Sequence, residues 1–308
     1  MRLTAVSALP RSLCSRWSLL CALFRAVSRS IPFHVQQFRS SWYTIVVQRI
    51  SLGEIPTEKH TNKQSSLGAI LVSDTVKALF FDVFGTVVDW RNSVSAEIEA
   101  LGAARGFEVD GEAFAQAWRA RYQPSMAVIR SGERPYTRLD VLHRENLVDV
   151  LAEFEIDSLD EAAIDALNLA WHRLNPWPDC PPGLKRLKTK YILATMSNGN
   201  VSLMVNLAKS ADLPWDAILG SEISRSYKPD PKTYLAGVEI LDLAPEQCMM
   251  VAAHNYDLLA AQELGLKTAF VARPTEYGPG QIKDLKAEFE FDVVTDSMIG
   301  LADKLGCK

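Results

Sequence analysis

Seven polar residues that could take part in catalysis follow short apolar runs of the sequence. They are Asp82, Thr86, Ser197, Asn198, Lys228, His254 and Asp257. Taken singly, residues of these types are more often helix caps, turn residues or solvated charges. Together, in this order and near the ends of predicted strands, they indicate one site where a carboxylate, a lysine and several hydrogen-bond donors meet. Such groups suit proton transfer and nucleophilic catalysis.

Short apolar runs alternate with helical patterns after residue 175, and one earlier run precedes the first of the polar residues. The runs that predict strands are Ala78–Phe81, Tyr191–Ala194, Ala217–Leu219, Met249–Ala252, Thr268–Val271 and Asp292–Val294. Between them the sequence predicts helices over Val201–Ala211, after Pro231 and up to about Gly265. Strands that alternate with helices predict a parallel sheet covered by helices on both faces. Ligands bind such sheets at the carboxyl ends of the strands, where the polar residues are expected to converge.

The segment 93–175 has a helical pattern that no strand run interrupts. Ser158 with Glu161 predicts a capping box at the start of one of its helices. We therefore predict an α/β fold with a doubly wound, Rossmann-like parallel-sheet core. The core would comprise residues 75–92 and 176–308, and the helical segment would form a cap inserted after the first strand.

The strand-end segments resemble the motifs of the haloacid dehalogenase superfamily. Phe81–Thr86 is similar to motif I, in which the aspartate, here Asp82, is the nucleophile. Thr195–Asn198 is similar to motif II, Lys228–Pro231 to motif III and Val251–Asp257 to motif IV. The four motifs occur in the order that the superfamily has, and the resemblance implies the core and cap predicted above.

Position 84 separates two branches of that superfamily. Its phosphatases carry a second aspartate there as the general acid, whereas Phe84 cannot donate a proton. Motif IV contains one acid, Asp257, where phosphatases usually have two, and this weakens oxygen-rich coordination of Mg²⁺. A departing halide needs no proton, only hydrogen-bond donors that solvate it. These features resemble the type II L-2-haloacid dehalogenases.

That resemblance, which covers roughly residues 76–275, implies a reaction and a set of site residues. An (S)-2-haloacid would be converted to an (R)-2-hydroxy acid through an ester on the aspartate nucleophile, with no metal or organic cofactor. The catalytic residues would be Asp82, Thr86, Lys228 and Asp257. The substrate-binding residues would be Phe84, Arg119, Ser197, Asn198, Tyr234 and His254. The alternatives are a phosphatase of the same fold that uses Mg²⁺, and an inactive relative that binds a partner.

Two of the substrate-binding residues, Arg119 and His254, have more specific predicted roles. Arg119 follows Trp118, and this pair matches a Trp-Arg pair whose arginine contacts the leaving halide in the dehalogenases. His254 stands where those enzymes often have other polar residues. Because histidine titrates near neutral pH, it could aid hydrolysis of the ester, or it could only orient a backbone group.

Bulk composition excludes several other classes of protein. The chain has 308 residues, 48% of them hydrophobic, and a net charge of −4, so it is not expected to attract nucleic acid. Its five cysteines and five histidines are scattered without metal-ligand spacing, which argues against a zinc site and for reduced thiols in an intracellular compartment. The apolar run Trp17–Val27 is too short for a bilayer, so no membrane role is expected. The expected partner is a small-molecule 2-haloacid, with a homodimer as one assembly known among similar dehalogenases.

The first 50 residues differ in charge from the rest of the chain. They contain seven arginines and no lysine, aspartate or glutamate. An arginine- and serine-rich, acid-free start resembles an organelle transit peptide. Residues 1–74 are therefore interpreted as a disordered leader or targeting segment, and the expected location is the cytoplasm or the mitochondrion. A disordered tail, or a stretch upstream of the true start codon, would give the same pattern.

Overall fold

Seven strands and ten α-helices make up the fold over residues 75–308, which are the residues that the structure, a computed structural model, describes. The strands are β1 (Ala78–Phe81), β2 (Val88–Asp89), β3 (Asn175–Pro176), β4 (Ile192–Thr195), β5 (Cys248–Ala252), β6 (Lys267–Val271) and β7 (Val293–Thr295). The helices are α1 (Trp90–Arg105), α2 (Gly111–Ala120), α3 (Tyr122–Arg130), α4 (Leu139–Glu153), α5 (Glu161–Asn168), α6 (Cys180–Leu187), α7 (Val201–Ser210), α8 (Pro231–Ile240), α9 (Asn255–Glu263) and α10 (Met298–Lys304). The predicted leader, residues 1–74, lies outside the described residues.

Five of the strands form one parallel sheet in the order β4-β1-β5-β6-β7, which confirms the predicted fold class. Strand β1 lies inside the sheet, between β4 and β5, and all four of its residues are buried because it has a strand on each side and packing on both faces. Phe81, its last residue, pairs with Thr195 of β4 and Val251 of β5. The carboxyl ends of these three strands are therefore level, and the residues that follow them come together.

The prediction of a strand over Ala217–Leu219 was wrong, since only Ala217 forms a single parallel bridge, to Ala194 of β4. Backbone hydrogen bonds to β4 reach only as far as Ala217, and side chains hold the residues on either side of it. The carboxylate of Asp216 accepts a hydrogen bond from the Leu193 N–H, and the Thr195 hydroxyl bonds both the N–H and the carbonyl of Leu219. The backbone of this segment is thus held without becoming a strand.

Helices α1 to α5 lie between the short antiparallel strands β2 and β3, which pair with each other where the chain leaves and re-enters the core. Helix α5 begins with Asp160 as its N-cap, whose carboxylate accepts a hydrogen bond from the Ala163 N–H at 2.8 Å. The predicted capping box of Ser158 and Glu161 was therefore wrong. An aspartate directly before the helix supplies a strong acceptor, and the serine lies outside the first turn.

Direct hydrogen bonds attach these helices to the core loops that carry the polar residues. Arg130, at the end of α3, donates to the Lys228 carbonyl at 3.2 Å. Asn200 donates from its side chain to the Asp140 carboxylate at 2.8 Å and accepts from the Asp140 N–H at 3.1 Å. One side of the cap is thereby fixed to the loops after β4 and before α8. Within the described part of the chain, the helices are too short or too polar for one to cross a bilayer.

Candidate active site

Asp82 directly follows β1, and its N–H still donates to the Val251 carbonyl at 3.0 Å. Its side chain is buried but not sealed, since 7% of the residue remains exposed. One carboxylate oxygen accepts from Lys228 Nζ at 2.8 Å, and the other accepts from the Thr86 hydroxyl at 2.7 Å. Burial alone would raise the pKa of Asp82, but the positive charges of Lys228 and His254 hold that pKa well below its ordinary value. The carboxylate is therefore ionised, as a nucleophile must be.

The loop after Asp82 fixes the direction of the Thr86 hydroxyl. Thr86 Oγ1 accepts a hydrogen bond from the Ala253 N–H at 2.9 Å, so its single proton is left to donate to Asp82. Gly85, in the same turn, has a φ of +89°, and a Cβ at this position would overlap the carboxylate of Glu276. A glycine is required there for both reasons.

Lys228 lies between two carboxylates and is 1% exposed. Its ammonium donates to Asp82 and, at 2.5 Å, to Asp257, while Asp257 also accepts from the Tyr234 hydroxyl at 2.6 Å. The Lys228 N–H donates to the side-chain oxygen of Asn198 at 2.7 Å. Burial alone would lower the pKa of Lys228, but the charges of Asp257 and Asp82 raise it above its ordinary value. This lysine is therefore a fixed positive charge beside the nucleophile.

His254 links Asp82 to a second acid that the sequence did not reveal, Glu276. His254 Nε2 lies 2.9 Å from Glu276 Oε2, and the indole N–H of Trp90 donates to the other oxygen of Glu276 at 3.0 Å. His254 Nδ1 is 3.1 Å from Asp82 Oδ2 without hydrogen-bond geometry. Burial alone would lower the pKa of His254, but the charges of Glu276 and Asp82 raise it to about 10. The imidazole is thus protonated at neutral pH in the free protein, which sequence alone did not predict.

This charge state makes stability depend on pH in a defined window. Because folding raises the pKa of His254 from 6.5 to about 10, its contribution is complete below about pH 6.5 and is lost as pH rises through 10. We expect the free energy of unfolding to fall by about 3 kcal/mol between pH 7 and 10. The fall should be smaller in Glu276→Gln, because this variant lacks the carboxylate that contributes most to raising the pKa of His254.

Urea unfolding at both pH values measures this difference. Glu97→Gln serves as the matched control, since Glu97 forms an exposed ion pair with Arg173 and its loss should leave the pH dependence as it is in the unmodified protein. Equal pH dependence in Glu276→Gln and the unmodified protein would contradict the assigned charge state of His254.

A cavity of 530 Å³ opens between the cap and the core loops, next to the residues just described. It is lined by Trp90, Gln116, Arg119, Ala120, Tyr122, Gln123, Pro229, Tyr256, Tyr277 and Lys283. The guanidinium of Arg119 lies over the ring of Tyr122, 4.1 Å from its centre, and 5.4 Å from that of Trp90. Its Nη1 atom is buried and has no hydrogen-bond partner among the described residues. A donor without an acceptor, at the wall of a cavity, is suited to an anion.

Of the six predicted substrate-binding residues, only Arg119 lines this cavity; Asn198 and His254 contact Lys228 and Glu276, and the other three lie elsewhere. Phe84 is buried and packs edge-on against Trp171, with ring centres 5.7 Å apart. The Ser197 hydroxyl accepts from the Gly199 N–H at 3.2 Å and lines a separate, much smaller cavity. Tyr234 is fully buried behind the lysine, where its hydroxyl holds a carboxylate. The structure thus gives Tyr234 a positioning contact rather than a place in the cavity.

The structure therefore joins most of the predicted residues into one network. Asp82, Thr86, Lys228 and Asp257 are connected by direct hydrogen bonds, and His254 contacts this group through its charge. Glu276 is a residue of this network that sequence analysis missed. Glu276 lies in the loop after β6, where no strand-end motif marks it, and only its negative charge close after a strand could have drawn attention to it.

A parallel α/β core, a helical insertion and an ionised aspartate directly after β1 are features of a class of α/β hydrolases. Within that class, the chain belongs to the haloacid dehalogenase-like hydrolases, whose family model matches residues 76–265. The family predicted from the motifs is thereby confirmed.

Individual relatives agree with this assignment. The chain is 29% identical over 210 residues to (S)-2-haloacid dehalogenase 4A of Burkholderia cepacia, a match that spans 66% of this chain and 87% of the relative. It is 49% identical to a defluorinating L-2-haloacid dehalogenase of known structure, with a TM-score of 0.74 and coverage of 75% of this chain and 96% of the other. A second L-2-haloacid dehalogenase structure is 46% identical, with a TM-score of 0.73 and coverage of 75% and 99%.

Proposed function

We propose that this chain hydrolyses (S)-2-haloacids to (R)-2-hydroxy acids through an ester on Asp82. The observation that carries the proposal is the setting of Asp82, an ionised carboxylate that Lys228 and Thr86 hold in place and whose neighbours Lys228 and His254 adjoin residues that line a cavity. The similarity to several 2-haloacid dehalogenases supports the same reaction.

In the first step, one carboxylate oxygen of Asp82 forms a bond to C2 of the substrate, and the carbon–halogen bond breaks. The halide leaves with the electron pair of that bond, and attack from the opposite side inverts C2. Arg119, whose Nη1 has no partner among the described residues, is the donor available to receive the halide. Lys228 and Thr86 hold the carboxylate in one orientation, which spares the cost of orienting it during the reaction.

In the second step, water attacks the carboxyl carbon of the ester on Asp82, and the bond from that carbon to the substrate oxygen breaks. The product oxygen takes up one proton as the hydroxy acid leaves, and one proton is released to solvent. Esterification removes the negative charge of Asp82, one of the two charges that raise the pKa of His254. The pKa of His254 therefore falls after the ester has formed, which favours loss of its proton to solvent, and the neutral imidazole can then accept a proton from the attacking water. Glu276 holds the ring in place throughout.

A phosphatase reaction with Mg²⁺ fits these residues poorly. The place between the carboxylates of Asp82 and Asp257, where such an ion would bind, is taken by the ammonium of Lys228. Within residues 75–308, no cluster of three or more His, Cys, Asp or Glu side chains is arranged to hold a metal ion. Phe84 also offers no proton for an alcohol leaving group.

Chloride release from (S)-2-chloropropionate in the presence of a chelator tests the proposed reaction. We expect steady release of chloride and formation of (R)-lactate, with the (R)-2-chloropropionate enantiomer as an inert control. Hydrolysis of a phosphomonoester that depends on added Mg²⁺, without chloride release, would establish the phosphatase instead. Absence of both activities would favour an inactive relative that binds a partner.

A further inference from the structure

The 530 Å³ cavity is lined by residues that adjoin the partners of Asp82. Pro229 in its lining directly follows Lys228, which bonds Asp82. Tyr256 in its lining stacks on His254, with ring centres 5.9 Å apart. A substrate with C2 at Asp82 would therefore extend any large substituent into this cavity.

The lining of the cavity is aromatic and cationic. Four rings contribute to it, those of Trp90, Tyr122, Tyr256 and Tyr277. Its two charged residues, Arg119 and Lys283, are both positive, and none of the lining residues within the described chain is an acid. Ring faces surrounded by positive charge suit an anion that also carries an apolar, flat group.

The cavity is also larger than a three-carbon haloacid requires. Pockets of about 300–1,000 Å³ hold ligands of drug size. The methyl group of 2-chloropropionate would leave most of the 530 Å³ to water. Hydrogen bonds of Arg130 and Asp140 already attach the cap to the core loops. Within the lining, the ammonium of Lys283 lies over the ring of Tyr277, 3.9 Å from its centre. The cavity is therefore formed and partly ordered before any substrate arrives.

We propose that the preferred substrates are 2-haloacids whose side chain ends in an aromatic ring, and that the cavity binds this ring. The inference rests on the proposed dehalogenase function and adds the class of substrate. The carboxylate and C2 would lie at the network around Asp82, while the ring would lie against Tyr122 and Tyr256 and displace water from them. Because the ring stays bound as C2 reacts, its contacts should raise kcat/KM more than they raise kcat.

Comparison of (S)-2-chloro-3-phenylpropionate with (S)-2-chloropropionate tests this substrate class. We expect kcat/KM for the phenyl substrate to be higher by at least about tenfold, the lower end of what a single buried methylene group gives. Ala120→Trp, at an exposed position of the lining, should lower kcat/KM for the phenyl substrate more than for 2-chloropropionate and so remove this preference. Ala127→Trp, at an exposed position of α3 outside the lining, is the matched control and should retain the preference.

The outcomes separate the two proposals. Equal kcat/KM for both substrates, or a preference for 2-chloropropionate, would overturn the substrate class while the dehalogenase function stands. A preference that survives in Ala120→Trp would place the ring elsewhere and would also overturn the inference. If neither substrate releases chloride, the proposed function itself fails, and the inference fails with it.

Discussion

Replacement of Asp82 by asparagine is expected to reduce chloride release from (S)-2-chloropropionate by about 10⁴-fold or more, as the loss of a covalent nucleophile does in other enzymes. Asparagine keeps the shape of the side chain, and its single amide oxygen can still accept a hydrogen bond from Lys228, while its amide nitrogen would face Thr86. What it loses is the negative charge, and a neutral amide oxygen does not displace a halide. The effect should therefore appear in the rate of the first chemical step and not in folding.

Steady-state chloride assays with circular dichroism measure both properties of Asp82→Asn. Asp160→Asn is a suitable control, because Asp160 is the N-cap of α5 and asparagine caps a helix about as well. A rate for Asp82→Asn within tenfold of the unmodified protein would show that this carboxylate does not form the bond to C2.

Replacement of His254 by glutamine is expected to separate the two steps. Glutamine retains a hydrogen-bond donor near Asp82 but cannot become a base, so the ester should form and then persist. We expect about one equivalent of chloride per protein in a burst, followed by turnover reduced by roughly 10²–10⁴-fold, the range for loss of a general base. The peptide that contains Asp82 should be heavier by the mass of the carboxyethyl group that the ester bond attaches to it.

Rapid-quench chloride measurements and mass spectrometry of the Asp82 peptide follow this intermediate. Asp82→Asn is the matched comparison, since it should show neither the burst nor the mass increase. Unchanged steady turnover in His254→Gln would mean that another group activates the water. Loss of the burst itself would mean that His254 acts mainly by holding Asp82 before the first step.

Sequence analysis succeeded for residues that directly follow strands. Asp82 follows an apolar run that the parallel sheet buries, and the level ends of β1, β4 and β5 bring the residues after them to the same edge. Alternation of strands and helices was enough to predict that edge. Arg119 was predicted from its resemblance alone, because its spacing on α2 does not distinguish a surface arginine from one that lines a cavity.

Other features depend on contacts that local patterns do not contain. The segment Ala217–Leu219 has the composition of a strand, but its backbone pairing with β4 stops at Ala217, and the Thr195 hydroxyl takes the hydrogen bonds of Leu219. Glu276 is 22 residues from His254 in the sequence, and no periodicity relates them. The charge of His254 depends on two carboxylates from different loops, so its pKa could be read only once the fold had placed them.

A single turnover in water enriched in ¹⁸O tests the covalent role of Asp82 most directly. With protein in excess over (S)-2-chloropropionate, water that attacks the ester leaves its oxygen on the aspartate. We predict one ¹⁸O atom in the Asp82 carboxylate and an unlabelled hydroxyl group in the lactate. Label in the lactate hydroxyl with none in Asp82 would show direct attack of water on C2 and would contradict the ester mechanism.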